Sequence, residues 1–484
     1  MIRRHRTVGT VISPHRADEL THAAGSGRTQ LLERPKAPEL GRTDRRGRGR
    51  ATADIVLRLL GTPKIAVSLA CAGIALLVLV GASAPNVNTL LTRLPLSRLP
   101  SWPAWVTCPA TVGAVLLDAL GLVGMLRARN RGWAPSPRRL YGIGAVAVLV
   151  LANLTPVGSS DPASYAAYGR MAALGFDPYA TTPHDTLQGT DYYGLISPSW
   201  QHTPSVYGPV ATWMQAVAAH VGGARPWVTI WVLLLVNGLA FLAVGWVLLR
   251  TSKDPVRATL LWTANPLLLE QLVSGGHLDT FVAAGTICAL RLVRRGSSQA
   301  HVALAGVVLG LTLGVKIDAG LIALALAWPM LRDRHWRPVA VMTSFCVVTL
   351  AGVYAGYGVH ALRPLSSASK LISVPSAWDI PSWLGTATLG PATTSAAICV
   401  LWPALLATFA WLFGRMAGFT SREPAGHAAL IVIAWMCAAP WAMPWYSAPG
   451  WAALPQFRRT ALTSLLVVQT TLLAMVHSSG GHAW

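Results

Sequence analysis

Apolar runs recur from residue 64 to residue 476, each separated from the next by a short joint rich in Arg or in Pro and Gly. A helix needs about 20 apolar residues to cross a membrane, and backbone in lipid must satisfy its own hydrogen bonds. The pattern therefore predicts an all-α, polytopic membrane bundle. Composition agrees: 53% of the 484 residues are hydrophobic and 12% are charged, where a soluble chain carries about 25% charged residues. Lipid, rather than water, is expected to face most of the surface.

The net charge of +21 does not point to nucleic acid. Twelve of the 39 Lys and Arg residues fall in the first fifty positions, mixed with Gly, Pro, Ser and Thr and without helical periodicity. Residues 1–60 read as a disordered, basic cytoplasmic tail that meets anionic headgroups, and residues 61–484 as the membrane domain. The tail is too long, and the first apolar run too deep, for a cleavable signal peptide. Cys71, Cys288, Cys346, Cys399 and Cys437 lie inside apolar runs, Cys108 sits near the start of another, and no CxxC pair exists. Neither a disulfide framework nor a metal cluster is suggested.

Arginine orients the spans, because cytoplasmic joints are basic. The first three are expected over 64–84, 104–126 and 140–157, and the joint 127–139 holds Arg127, Arg129, Arg131, Arg138 and Arg139. That joint is placed inside, so the third span delivers the chain outside at Gly158. A long polar loop follows over 158–206, with Asp161, Asp177, Asp185 and Asp191 against a single Arg170. The apolar stretch 207–222 reads as an interfacial or re-entrant helix. Later spans are expected over 227–249, 258–275, 280–290, 302–315, 319–331, 338–357, 394–413, 428–439, 445–454 and 461–476. The total is about 13, with the N-terminus cytoplasmic.

This orientation gathers a small set of ionisable groups on the outer face: Asp161, His277, Asp279, Lys316, Asp318, Arg363, Lys370 and Asp379. Such groups at membrane depth are costly and mark function. Asp161, in Ser159-Ser160-Asp161-Pro162, suits either a reacting carboxylate or a helix N-cap. Gly175-Phe176-Asp177-Pro178-Tyr179 has the composition of a turn, structural or substrate-positioning, and Tyr207-Gly208-Pro209 opens a helix with the same two readings. Pro266 and the Gly275-Gly276 pair break a membrane helix just before His277 and Asp279. Lys316 is either a salt-bridge partner of Asp318 or a fixed positive charge for an anionic headgroup. Arg363 and Lys370 stand in an outer loop where cations are not expected, which favours anion binding. No Walker loop, Rossmann glycine pattern or GxSxG elbow stands in a credible context.

Asp161-Pro162-Ala163-Ser164-Tyr165-Ala166-Ala167-Tyr168-Gly169, then Gly175-Phe176-Asp177-Pro178-Tyr179, then Tyr207-Gly208-Pro209 resemble the first outer loop of polyprenol-phosphomannose-dependent α-1,6-mannosyltransferases. Asn265-Pro266-Leu267 with Gly276-His277-Leu278-Asp279 is similar to that family's Asn-Pro-Leu and Gly-His-Asn-Asp signature, Leu278 replacing the usual Asn. Lys316 sits where a Lys follows the next span. The resemblance covers roughly residues 140–326.

It implies a GT-C fold and a transfer of sugar, most simply mannose, from a polyprenyl-phosphate donor to an envelope glycan or lipoglycan at the outer face of the cell membrane. Inverting transfer needs one base, the role it gives to Asp161. Tyr165, Asp177, Tyr179, Tyr207, His277, Asp279, Lys316, Arg363 and Lys370 become candidates for substrate binding, the cations facing the phosphate leaving group. No metal or other cofactor is expected. Two rivals are a transferase for polyprenyl-phosphate arabinofuranose or glucose, and a flippase for a lipid-linked sugar.

Overall fold

A computed structural model describes residues 59–477 apart from 295, 419–422 and 458. The basic tail expected over 1–60 falls almost wholly outside the described residues. Among the described residues all regular structure is helical, and a single isolated bridge pairs Thr89 with Val157.

The first half comprises α1 (Pro63–Ala82), α2 (Ala104–Asn130), α3 (Pro137–Leu151), α4 (Asp161–Ala173), the short α5 (Pro183–Leu187) and α6 (Asp191–Leu195), α7 (Pro209–Gly222), α8 (Pro226–Thr251) and α9 (Pro255–Leu261). Then come α10 (Asp279–Leu292), α11 (Gln299–Leu313), α12 (Gly320–Arg332), α13 (Trp336–Tyr354), α14 (Arg363–Ala368), α15 (Asp379–Leu389), α16 (Pro391–Met416), α17 (Pro424–Ala438), α18 (Ala448–Ala453) and α19 (Leu462–His477). Many open on Pro at the first turn, where its missing N–H costs nothing and its fixed φ suits the helix. Five of them, α1, α2, α8, α13 and α16, are long and apolar enough to cross a membrane. Helix α16 leaves Val400, Leu401 and Trp411 exposed, as a lipid-facing helix does.

Two expected spans are not continuous helices. The stretch 258–275 divides into the end of α9, a single turn Pro266–Leu268 and a π-helical Leu269–Ser274. Pro266 has no N–H to continue the ladder, and the segment is tied to α8 by side chains: Asn237 donates to Leu272 O, and Trp262 donates to Phe241 O of α8. The stretch 445–454 is likewise a 3-10 turn Pro444–Ser447, α18 and a 3-10 turn Leu454–Gln456. Its end is held by buried Arg257, whose guanidinium donates to Leu454 O at 2.9 Å. Both segments are apolar because protein covers them; Trp262 and Trp451 are fully buried.

Helix α7 has 14 residues, about 21 Å at 1.5 Å per residue, which is short of the roughly 30 Å hydrocarbon core. Trp213, Val217 and Val221 form an exposed stripe along it, while Ala211, Gln215 and Ala218 pack inward. Helix α8 separates two polar clusters. Near its start Thr229 meets Tyr192 of the long loop at 2.7 Å. Beyond its end Asp254 binds Arg129 at 3.2 Å and Arg459 at 2.9 Å. A 26-residue helix spans about 39 Å.

Small residues set the α1–α2 approach, as in membrane helix pairs generally. A Cβ on Gly121 would lie 2.6 Å from Ala70 N, so Gly121→Ala must part the helices. It should destabilise the detergent-solubilised protein by about 1–3 kcal/mol in a reversible unfolding measurement. Gly142→Ala, whose Cβ meets nothing within 4 Å, should be neutral or mildly stabilising. Equal losses would contradict close α1–α2 packing.

Candidate active site

The chain reaches the site at Asp161, the first residue of α4. Its backbone N–H donates to Ser159 Oγ at 3.1 Å. Oδ2 accepts the Tyr165 hydroxyl at 3.1 Å, one helical turn on, where side chains of a helix meet. Asp161 therefore does not cap α4 with its side chain, which leaves the carboxylate for other work. The Asp161 side chain is 21% exposed, whereas His277, whose Nδ1 lies 3.3 Å from the same Oδ2, is 1% exposed. Among the described residues Oδ1 accepts no hydrogen bond.

His277 gets there because the backbone before it is glycine. Gly276 has φ +68°, and a Cβ on it would strike Leu234 and come within 3.0 Å of Pro162. The turn thus tucks against the start of α4. On the far side the His277 ring stacks on Trp445, with centroids 3.5 Å apart and planes at 12°.

Two residues on, buried Asp279 opens α10. Lys316 Nζ donates to Asp279 Oδ1 at 2.9 Å and Oδ2 at 3.0 Å, with Asp318 Oδ2 at 3.6 Å. The Lys316 ammonium also lies 3.7 Å from the centre of the Tyr446 ring. The turn carrying Lys316 is locked to the start of α7, where Gly208 N donates to Val315 O and Val210 N to Gly314 O. Tyr207, just before α7, meets Tyr165 edge to face at 4.9 Å.

These surroundings divide the carboxylates. Burial pushes the Asp161 carboxyl up, but the facing His277, then Lys316 and the Tyr165 hydroxyl, outweigh it and hold the group below its ordinary value. Asp318 goes the other way: burial lifts it to about 6, more than Lys316 lowers it. Burial would lower Lys316, yet Asp279 foremost, with Tyr446 and Asp318, raises it, so the ammonium stays charged. Burial and then the Asp161 charge push Tyr165 and Tyr207 up, so both remain hydroxyl donors at neutral pH.

Asp161, Tyr165, Tyr207, His277, Asp279, Lys316 and Asp318 thus form one cluster. Lys316 is joined chiefly to Asp279 rather than to its sequence neighbour Asp318. Asp177 and Tyr179 belong to a second, adjoining group. Asp177 Oδ1 accepts Tyr179 N–H at 2.8 Å, and Oδ2 lies 2.6 Å from His360 Nε2. The Tyr179 hydroxyl meets Thr212 at 2.7 Å, and its ring lies edge-on to Tyr357 at 4.9 Å. Arg363 and Lys370 are exposed, and no side-chain bond among the described residues joins them to either group. His360, Trp445 and Tyr446 are participants that sequence reasoning missed; Trp445-Tyr446 opens a stretch, 445–454, that reads as a span. Among the described residues no three His, Cys, Asp or Glu side chains are grouped to hold a metal ion.

An all-helical bundle with helices apolar enough to cross a membrane, set beside known proteins, defines the chain as a membrane-embedded glycosyltransferase. The family described as alpha-(1->6)-mannopyranosyltransferase, N-terminal domain, matches residues 66–332, and the chain belongs to that family. It is 26% identical over 413 residues to alpha-(1->6)-mannopyranosyltransferase A of Mycobacterium tuberculosis, covering 77% of this chain and 75% of that one. It is 28% identical over 379 residues to a probable alpha-(1->6)-mannopyranosyltransferase of Mycolicibacterium smegmatis, covering 65% of each. With alpha-(1->6)-mannopyranosyltransferase B of Corynebacterium glutamicum it shares 25% identity over 270 residues, 52% of this chain and 44% of that protein. No solved structure matches.

The Lys316–Asp279 pair is open to a double-mutant cycle. Lys316→Met strands a buried carboxylate and should cost about 3–5 kcal/mol in unfolding measurements. Adding Asp279→Leu should recover much of that loss. Additive losses would mean that the two side chains do not support each other.

Proposed function

We propose that the protein transfers a mannosyl residue from a polyprenyl-phosphate donor to a hydroxyl of an envelope glycan or lipoglycan at the outer face of the membrane. Asp161 is the base. The observation that carries this is the division of the carboxylates: Asp279 is consumed by Lys316, Asp318 is paired with the same Lys316 with its other oxygen buried, and Asp161 is partly exposed, held ionised and has an oxygen to spare. The relatives' names supply the sugar.

The acceptor oxygen attacks the anomeric carbon as its proton passes to Asp161 Oδ1. The anomeric carbon–oxygen bond to phosphate breaks, and the polyprenyl phosphate leaves with the electron pair. Phosphate is a weak base, so a positive field serves it better than a general acid. Lys316 contributes to that field from its place beside Asp279. Tyr165 keeps Asp161 Oδ2 occupied and so presents Oδ1.

Sidedness rests on charge. The Arg-rich joint 127–139 reads as cytoplasmic, and Arg129 is bound with Asp254 and Arg459 beyond the far end of α8. The site at the opposite end is then extracytoplasmic and the N-terminus cytoplasmic. On this reading the shorter apolar helices are further crossings or, like α7, interfacial.

The test is transfer from polyprenyl-phosphate mannose to a short mannoside by purified protein. Asp161→Asn keeps size and removes the base, so the rate should fall about 10²–10⁴-fold with donor binding kept. Asp177→Asn, in the adjoining group, should lose far less. Near-normal turnover by Asp161→Asn would remove Asp161 from the chemistry.

A further inference from the structure

Asp161 meets His277 through a ring that almost nothing else holds. Among the described residues neither ring nitrogen makes a well-formed hydrogen bond, and Nδ1 is buried without such a partner. Backbone bonds fix where residue 277 sits: its N–H donates to Leu272 O at 3.2 Å. They leave the ring free to rotate about its own side-chain bonds. Two surfaces close that freedom. Gly275 lies against one edge, where an added Cβ would fall 2.8 Å from Cδ2 and Nε2. The other is the Trp445 indole, stacked on the whole ring face.

Trp445 belongs to the 3-10 turn Pro444–Ser447, far beyond the matched family region 66–332. It is buried. The next residue, Tyr446, lies under Lys316 and stacks on Trp435 of α17, with planes at 10°. The turn is fastened to the rest of the chain through Ser373, whose N–H donates to Pro440 O and whose hydroxyl accepts Ala442 N–H at 3.0 Å. A late segment of the chain therefore sets the geometry of a residue in the earlier half of the site.

We propose that Trp445 is a positioning residue: its indole face fixes the His277 ring so that Nδ1 meets Oδ2 of Asp161 and Oδ1 is left for the incoming hydroxyl. This rests on the reading of Asp161 as base. An aromatic face suits the task because it restrains a ring's plane through stacking without competing for Nδ1. The other charged or titratable groups around Asp161 and His277 are Tyr165 and Tyr168 of α4, Tyr207, Asp279, Lys316, Asp318 and Tyr446. None of them faces the His277 ring as Trp445 does.

The sign of the pH effect follows from the facing pair. His277 is among the groups that hold Asp161 below its ordinary value against burial. A ring released from the indole no longer does so reliably, and the base then protonates at higher pH. The experiment compares Trp445→Ala, Trp445→Phe and His277→Gln with the unaltered protein in transfer assays across pH. Trp445→Ala should lose on the order of 10- to 100-fold in kcat, the scale of a slightly misplaced group, with the donor KM little changed. Its acid limb in kcat/KM should move to higher pH. His277→Gln should move that limb in the same direction, and Trp445→Phe, which keeps a flat ring, should restore most of the rate and the limb.

If Trp445→Ala does not fold, Trp445→Leu and His277→Gln carry the same comparison. Lost rate with an unmoved acid limb would make Trp445 a packing residue and overturn the inference, leaving Asp161 as base untouched. Full activity in Asp161→Asn would overturn the reading beneath it instead.

Discussion

The ion pair between Lys316 and Asp279 joins the N-terminus of α10 to the turn after α11. Asp279 is 1% exposed and Lys316 13%. Taking two such charges out of water costs several kcal/mol per ion, returned only when geometry and further contacts are good. Here both carboxylate oxygens accept from one ammonium, and the Tyr446 ring lies against its free side. Once the pair is closed, much of the site follows. His277 stands two residues before Asp279, Trp445 one before Tyr446, and the start of α7 is hydrogen-bonded to the turn that carries Lys316.

Three carboxylates then differ through their surroundings alone. Asp279 is neutralised by a cation. Asp318 has the same cation at greater distance and is dominated by burial. Asp161 combines partial exposure with a facing imidazole and a hydroxyl donor. Groups whose environments push them apart in this way take different parts in acid–base chemistry. Of the three, Asp161 is the one with a carboxylate oxygen neither paired with Lys316 nor buried.

Much of this was legible in the sequence, and the rest was not for physical reasons. The ends of α1 and α8 fall within two residues of the expected spans 64–84 and 227–249, because Arg, Lys and Pro punctuate long apolar runs there. The break in 258–275 was legible from Pro266 and the Gly275-Gly276 pair, whereas 445–454 misled because an apolar run covered by protein has the composition of one covered by lipid. Asp161, His277, Asp279 and Lys316 stood out as costly groups in apolar surroundings. The partner of Lys316 did not, since Asp318 is nearer in sequence while Asp279 lies 37 positions away. Trp445 was hidden for another reason: in an apolar stretch an indole reads as core, and only the fold reveals the ring it covers.

One reactive carboxylate cannot support a double displacement, which needs a nucleophile and a separate acid–base group. The account therefore commits the enzyme to a single inverting step, and the stereochemistry of the first product tests it most directly. Purified protein would be given a polyprenyl-phosphate sugar of known anomeric configuration, and the new linkage assigned by proton NMR before any second transfer. The product is expected to carry the configuration opposite to that of the donor. Retention would contradict it, because a second carboxylate, Asp279 or Asp318, would then have to act as nucleophile or acid from a buried position beside Lys316.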